Sequence, residues 1–374
     1  MQNQKASGKQ SILILSNVDW EGLWYQKQEI ACRFAQEGHS VWYINRTLQR
    51  WPRWHHLKSR IRLRRVHDEG RSSNGAIRIL SPLWLPPVPA FRLVNRWLIR
   101  RSLAKAGIPS GGWLVTYVPT QNTLDVVTLV KPNRLAYVCV HNYDAAPVVR
   151  DLLRAERELC HQADLILADS AFNFRRLERL APGRTVYKLP PGVDALPFSQ
   201  AYRGDEAIRR QNMVYFGSIG PHLDLLLYGE MARHLKVTFI GTISSDLREP
   251  IPDGIELRPA VVHNRLAEAL VDADMLALFY RPTAYMDGVL PAKFFECLAT
   301  QKPILVSGLA EATNFANEIY DVGGSAPRTL EAIRNLPQYE TSERLQFRRR
   351  VAEEADWAVR FAAFRDLLNS EFRS

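Results

Sequence analysis

At 374 residues the chain is longer than one hydrophobic core usually serves, and its length predicts two domains of similar size. With 46% hydrophobic and 24% charged residues its composition is that of a globular protein and excludes disorder. No apolar run reaches the length of a membrane-spanning helix, and the polar first ten residues argue against a cleaved secretion signal.

The net charge of +10 is unevenly spread. Residues 1–105 hold 19 Lys/Arg against 6 Asp/Glu, a net of +13, while the remainder hold 30 against 33, a net of −3. Such a surface expects an anionic partner, either nucleic acid or an anionic membrane face. The four cysteines, Cys32, Cys139, Cys160 and Cys297, lie far apart and read as buried apolar residues of a reducing compartment, which points to the cytoplasm.

Strand and helix patterns alternate along most of the chain. Residues 11–16 read as a buried strand and 23–37 as a helix, with Leu23, Ile30 and Phe34 at helical spacing. Gly38 is its stop, and a second strand follows at 41–44. Further strands are predicted at 77–80, 113–117, 135–140, 165–168 and 185–189, with helices at 148–161 and 171–180. After a loop around 194–210 the alternation restarts. Strands fall at 213–216, 237–240, 255–258, 275–279 and 303–306, and helices at 223–233, 265–271 and 293–299. The pattern predicts an α/β chain with two parallel sheets, each covered by helices on both faces. Residues 342–368, with Val351, Ala355, Val359 and Ala362 at helical spacing, read as one long helix that tethers the two domains.

In such sheets ligands sit off the carboxyl ends of the strands, so the loops there carry the candidate chemistry. The first loop, Asn17, Val18, Asp19, Trp20, Glu21, Gly22, Leu23 and Trp24, offers aromatic faces and carboxylates suited to a sugar or a lipid headgroup; the plainer alternative is a helix start with core tryptophans. No GxGxxG fingerprint is present, which weighs against a dehydrogenase. His141 follows the strand at 135–140 and can exchange a proton or polarise a hydroxyl, with Asp144 near enough to orient it or to bind an acceptor.

In the second half, Gly217, Ser218, Ile219 and Gly220 follow a strand and precede a helix, an arrangement suited to a diphosphate. Arg281 follows another strand. Lys293 and Glu296 stand three apart on the helix begun by Pro291, either as a surface ion pair or as a cation for a departing diphosphate and a carboxylate for ribose hydroxyls. Asp272 and Asp274 flank a strand start and read as caps rather than a metal motif; no His/Cys cluster has zinc spacing, and no metal or other cofactor is expected.

Nine basic residues between Arg46 and Arg71 are interleaved with Trp51 and Trp54, and a second basic-aromatic stretch runs through Trp84, Phe91, Arg92, Arg96, Trp97, Arg100 and Arg101. Arg50, Arg53, Arg60, Arg62 and Arg64 with the tryptophans suit docking on anionic lipid; the alternative is a solvated basic loop.

Together these marks resemble bacterial GT-B glycosyltransferases of the retaining family-4 type, most closely the teichuronic-acid-biosynthesis group. The resemblance rests on residues 19–24, the run ELCHQADLILADS at 158–170, Pro191-Gly192-Val193-Asp194, Tyr215-Phe216-Gly217-Ser218-Ile219, and Pro291-x-Lys293-x-x-Glu296-x-Leu298-Ala299 before Lys302-Pro303. It implies two Rossmann-like domains facing across a cleft, with a C-terminal helix crossing back. The expected domains are an acceptor domain at 1–193 (basic-aromatic segment 46–105), a nucleotide-sugar domain at 194–350 and the returning helix at 351–374.

It also implies Gly217, Ser218 and Ile219 near the diphosphate, Arg281 and Lys293 neutralising it, Glu296 on the ribose, and His141 near the reacting sugar. The chain departs from the family at Gly288, where many relatives carry a glutamate eight residues before Glu296. It also lacks the Arg-x4-Lys pair after the glycine loop, and His141-Asn142 stands where an acidic pair is common.

The resulting expectation is a metal-independent hexosyltransferase using a nucleotide-sugar donor and a lipid-linked or polysaccharide acceptor. It would be peripheral on the cytoplasmic face of an anionic inner membrane, with no nucleic-acid partner. A sugar-nucleotide epimerase and a non-enzymatic nucleic-acid- or membrane-binding protein are the alternatives.

Overall fold

The computed structural model describes residues 9–21, 24–46, 62–66 (main chain), 77–145, 152–202 and 210–370. It divides into two compact units, Met1–Leu189 with Phe361–Ser374, and Pro190–Arg360.

Unit 1 opens with β1 (Ser11–Leu15), α1 (Gln26–Gln36) and β2 (Ser40–Ile44). Then come β3 (Arg62–Val66), β4 (Ile77–Ser81), α2 (Arg92–Lys105), β5 (Trp113–Thr116) and α3 (Gln121–Val130). β6 (Arg134–Cys139), α4 (Leu152–Gln162), β7 (Leu165–Ala168), α5 (Ala171–Leu180) and β8 (Val186–Lys188) complete the sheet. The strand order is β3-β4-β2-β1-β5-β6-β7-β8, parallel except for β3, which pairs antiparallel with β4. β1 pairs with β2 on one side and β5 on the other, so the order reverses there. Strands covered on both faces read as continuous apolar runs, and Ile12, Leu13, Ile14 and Leu15 are accordingly all buried.

Unit 2 contains α6 (Ala195–Ser199), β9 (Asn212–Phe216), α7 (Leu225–Ala232), β10 (Lys236–Ile240), β11 (Ile255–Arg258) and α8 (Leu266–Ala269). These are followed by β12 (Met275–Phe279), α9 (Ala292–Ala299), β13 (Ile304–Ser307), β14 (Tyr320–Asp321), α10 (Ala326–Tyr339) and α11 (Ser342–Glu354). The sheet order is β11-β10-β9-β12-β13-β14, every described pairing is parallel, and the reversal falls between β9 and β12. Its core gathers Met213, Tyr215, Phe239, Met275, Phe279, Phe294 and Leu305.

The C-terminal segment is two helices rather than the single one expected: α11 ends at Glu354 and α12 spans Trp357–Asn369. The break has a definite cause. Val193 donates its N–H to the Ala355 carbonyl (3.0 Å) and accepts from Trp357 N–H (3.0 Å), taking main-chain groups that a continuous helix would use. Asp356 then receives Ala358 N–H (2.8 Å) and Ala195 N–H (3.3 Å) on its two carboxylate oxygens. From Phe361 onward α12 belongs to unit 1, where Phe361 and Phe364 pack edge-on against Phe34 and Arg365 pairs with Glu37 (2.6 Å). α2, α3, α10, β3 and β14 are elements that the sequence pattern did not predict.

Candidate functional site

In unit 1 the reversal of strand order puts the ends of β1 and β5 side by side, the position at which an open parallel sheet leaves a crevice. Asn17 follows β1 and His141 follows β6, and the Asn17 Nδ2 group lies 2.8 Å from His141 Nε2. With the amide donating, Nε2 is the acceptor and the ring proton sits on Nδ1. Burial, aided by the nearby Lys27 cation, holds the imidazole pKa down to about 4, so His141 is neutral at physiological pH.

Asp144 does not orient His141 as expected. Its carboxylate is half exposed and lies 3.3 Å from Arg176, whose guanidinium is otherwise buried against Glu156 and Cys139. That network anchors the His141 loop: the Tyr137 hydroxyl also donates to Glu156 (2.6 Å), so a fully buried carboxylate is satisfied from two sides.

Of the first loop, Asp19 and Glu21 are exposed. Trp20 packs edge-on against Tyr43 (5.0 Å) and Trp24 (5.7 Å), and the Trp24 indole donates to Glu29 (3.0 Å). Gly22 lies outside the described residues, as do Arg50, Trp51, Arg53, Trp54 and Arg60. Arg62 and Arg64 fall on β3, known here by its main chain alone. Of the second basic-aromatic stretch, Trp84 is a core residue whose indole donates to Ser102 (3.2 Å). Arg92, Arg96, Trp97, Arg100 and Arg101 are exposed on α2.

In unit 2 the reversal lies between β9, which leads into Gly217, and β12, which leads into Arg281. Gly217 has φ +116°, a region that favours glycine, and a Cβ there would collide with the Lys293 ammonium. Lys293 donates to the Tyr215 hydroxyl (2.7 Å), which donates in turn to the Ser218 carbonyl (2.7 Å). Among the described residues Lys293 has no ion-pair partner, and burial lowers its pKa to about 8. His222, on the same loop, stacks on Tyr280 (5.6 Å); burial and the Lys293 cation bring its pKa down to about 4.

Three expectations for this unit need correction. First, the helix predicted at 223–233 after the glycine loop starts at Leu225, and its amino end is capped by Asp224, which accepts from Leu227 N–H (3.1 Å). A carboxylate therefore already occupies the positive end of that helix. Second, Ile219 is fully buried and donates its N–H to the Thr242 carbonyl (2.9 Å), so both its side chain and its N–H are engaged within the loop. Third, Lys293 and Glu296 do not form the i,i+3 ion pair considered above; Glu296 lies 2.8 Å from His263 Nε2. Arg281 lies at the expected strand end, in a bidentate pair with Glu249. Asp274 accepts from the N–H groups of Gln211 and Asn212 (both 2.9 Å), a structural role.

Lys27, His222, Glu249 and His263 were not singled out in the sequence, while Asn17, which opens the first loop, and Tyr215, in the run that carries the resemblance, were given no role of their own. Lys27 had a legible signal: it shares a helix face with Ile30 and Phe34, where a cation is out of place. His222 follows the glycine loop and had no signal beyond that position. No group of three or more His, Cys, Asp or Glu able to hold a metal occurs among the described residues. The four cysteines are free and buried.

No family model and no curated protein matches the chain. Solved structures do. Sucrose-phosphate synthase from Thermosynechococcus elongatus superposes with a TM-score of 0.65 at 14% identity, covering 96% of this chain and 98% of that one. A glycosyltransferase from Rickettsia africae gives 0.65 at 12% identity over 98% and 100% of the two chains. Anabaena HepE, solved in complex with UDP and glucose, gives 0.65 at 12% over 97% and 100%. The chain has the fold of these GT-B proteins: α/β, with two Rossmann-like domains built on largely parallel sheets.

Proposed function

We propose that the chain is a metal-independent, retaining glycosyltransferase of the teichuronic-acid type. It would move a hexose from a nucleotide-sugar, most simply a UDP-sugar, to a lipid-linked or polysaccharide precursor of the cell surface. One observation carries the reading: at the strand-order reversal of unit 2, an ammonium without an ion-pair partner among the described residues is held against a glycine turn that leaves room for it. A cation so placed at the carboxyl ends of parallel strands suits a pyrophosphate.

In this reading the bond between the anomeric carbon and the β-phosphate oxygen breaks, and the negative charge left on the diphosphate is stabilised by Lys293 and by Arg281 once Glu249 releases it. Glu296 receives the two ribose hydroxyls, with His263 fixing the carboxylate. His141, neutral and held by Asn17, contacts the transferred sugar, and the first loop with Trp20 and Trp24 takes the acceptor.

A membrane face fits the same chemistry, because a lipid-linked acceptor is met at a bilayer. On α2, Leu93 is 83% and Trp97 59% exposed, beside the arginine row Arg92, Arg96 and Arg100. Arginines beside exposed apolar side chains match an anionic lipid surface better than a nucleic acid, which would leave Leu93 wet. No helix among the described residues is long and apolar enough to cross a membrane.

The test is thermal unfolding of the full chain with UDP-, GDP-, dTDP- and ADP-sugars, followed by mass spectrometry of products on a polyprenyl-phosphate-linked acceptor. Protection by one nucleotide class and a product heavier by one hexose is the expected result. Absence of protection by every donor overturns the reading, and turnover of a nucleotide-sugar without acceptor would favour the epimerase.

A further inference from the structure

Lys27 is the least explained charge in the described structure. It occupies the second position of α1, is only 7% exposed, and makes no hydrogen bond or ion pair among the described residues. Its nearest neighbours are aromatic: the ammonium lies 5.1 Å from the centre of the Tyr117 ring and 5.5 Å from that of Tyr25. The carboxylate of Asp169 acts on it from beyond ion-pair distance and is itself engaged by Asn173 (2.9 Å).

Three features make this placement unfavourable in the ligand-free protein. A buried ammonium without an ion-pair contact carries a large desolvation penalty, which the distant Asp169 offsets only in part. A cation in the first turn of a helix faces the positive end of the helix dipole. The hydroxyl of Tyr117, and Oδ1 of the Asn17 that bonds His141, are buried without a hydrogen-bond partner among the described residues, so polar groups of this strand-end cluster are also unsatisfied. A single bound anion relieves the first two, and its protonated or hydroxyl-bearing neighbourhood can satisfy the third.

The surroundings agree with a ligand position. Asn17, Tyr117 and His141 stand just beyond the carboxyl ends of β1, β5 and β6, at the reversal of strand order in unit 1. Lys27 is near enough to His141 to oppose its protonation.

We propose that unit 1 holds an anionic group of the acceptor, a phosphate or a carboxylate, on the Lys27 ammonium, with the Tyr117 hydroxyl and the Asn17 amide beside it. The word acceptor rests on the glycosyl-transfer reading; the anion site itself does not. The acceptor class is thereby narrowed to molecules with a negative charge close to the hydroxyl that His141 faces, such as a phosphorylated lipid carrier's first sugar or a uronic acid.

The experiment is thermal unfolding of the full-length protein with inorganic phosphate or glucuronate, in a Lys293→Met, Arg281→Gln background that removes both cations assigned to the donor site of unit 2. Protection by either anion is expected, and which of the two acts distinguishes phosphate from carboxylate. Adding Lys27→Met should abolish that protection and raise the midpoint in anion-free buffer, while Lys27→Arg should keep part of the protection. UDP protection, measured with Lys293 and Arg281 intact, should survive Lys27→Met.

A second measurement does not depend on a methionine variant folding. Reductive methylation with 13C-formaldehyde should give a dimethyl-lysine signal, absent from Lys27→Arg, that shifts on adding the protecting anion. Failure of both anions to protect, or an unmoved signal, overturns the proposal. Loss of UDP protection in Lys27→Met also overturns it, by giving Lys27 to the donor. If UDP protects no form of the protein while phosphate protection still needs Lys27, the donor reading fails and the anion site stands.

Discussion

The Lys293 ammonium lies 2.7 Å from the Tyr215 hydroxyl and 4.4 Å from the centre of its ring, with the glycine turn at Gly217 closing over it. A tyrosine is a poor counter-charge: it holds the cation in place without neutralising it, and burial lowers the lysine pKa from 10.5 to about 8. Lys293→Met should therefore lower kcat/KM by about a hundredfold or more, the scale of losing one transition-state charge stabiliser.

The same residue predicts a pH effect on stability. A lysine whose folded pKa is depressed binds its proton more weakly in the native state, so the unfolded state holds more protons between the two pKa values. Lys293 therefore costs stability most fully below about pH 8, and that cost disappears as pH rises from about 8 to 10.5. Chemical denaturation at pH 7 should show Lys293→Met more stable than wild type, with the difference shrinking towards pH 10. A lower stability for the variant at pH 7 would mean that the tyrosine contact outweighs the desolvation.

Arg281 and Glu249 are both substantially exposed, and their bidentate pairing occupies the guanidinium edge that a phosphate would use. Glu249→Gln removes the competitor without emptying the site. Nucleotide-sugar affinity should rise, by no more than about fivefold because an exposed pair is weak. Arg281→Ala should lower it. Isothermal titration reads both, and unchanged affinity in both variants removes Arg281 from the donor site.

Glu296 stands 2.8 Å from His263 and, among the described residues, makes no ion pair with Lys293. If its carboxylate takes two ribose hydroxyls, Glu296→Gln should weaken UDP binding by about tenfold to a hundredfold, the worth of hydrogen bonds to a charged group. The variant should also lose its preference for UDP over 2′-deoxy-UDP. A variant that binds weakly yet still discriminates between the two would place the ribose elsewhere.

Much of this architecture was legible in the sequence because buried parallel strands announce themselves as apolar runs: 165–168 and 275–279 coincide with β7 and β12. The glycine turn and the helix bearing Lys293 were legible for the same reason, each lying next to such a run. What escaped was set by tertiary contacts. α2 was read as a basic-aromatic stretch because its outward face carries Leu93, Val94 and Trp97, which blurs the polar-apolar alternation a surface helix normally shows. The break at Ala355–Asp356 depends on Val193, more than 160 residues away in sequence, competing for main-chain hydrogen bonds. The partners of Arg281 and Glu296 come from loops that no spacing rule connects to them.

Gly192 has a packing role that can be tested apart from activity. A Cβ at this position would stand 2.5 Å from Trp357 Cδ2, so the ring lies flat against the main chain just before Val193 pairs with Ala355 and Trp357. Gly192→Ala should destabilise the protein by about 1–3 kcal/mol, the cost of overpacking a filled site. Gly183→Ala, with nothing within 4 Å of its Cβ, is the control for glycine removal in open space, although its φ of +82° adds some strain. Urea denaturation of the two variants gives the comparison, and equal midpoints would show that the tryptophan moves aside freely.

The exposed face of α2 supplies the last prediction. Arg92, Arg96 and Arg100 are exposed on this helix, and of the neighbouring acids Asp125 on α3 acts on Arg92 and Arg96. Each basic residue at an anionic bilayer contributes about 1 kcal/mol, so replacing the three by Gln should weaken binding to vesicles containing phosphatidylglycerol by about a hundredfold. Leu93→Glu with Trp97→Glu should weaken it as well, and through insertion rather than attraction. Because all four native cysteines are buried, a Val94→Cys variant carries one exposed thiol for an environment-sensitive fluorophore. Its emission should shift to the blue with phosphatidylglycerol vesicles and stay unmoved with phosphatidylcholine alone. Wild-type binding that survives all these substitutions, with no spectral shift at position 94, would assign the membrane contact to another part of the basic N-terminal third. Tight binding to single-stranded RNA that is lost in the arginine variant but kept in the Leu93→Glu, Trp97→Glu variant would replace the lipid with a nucleic acid.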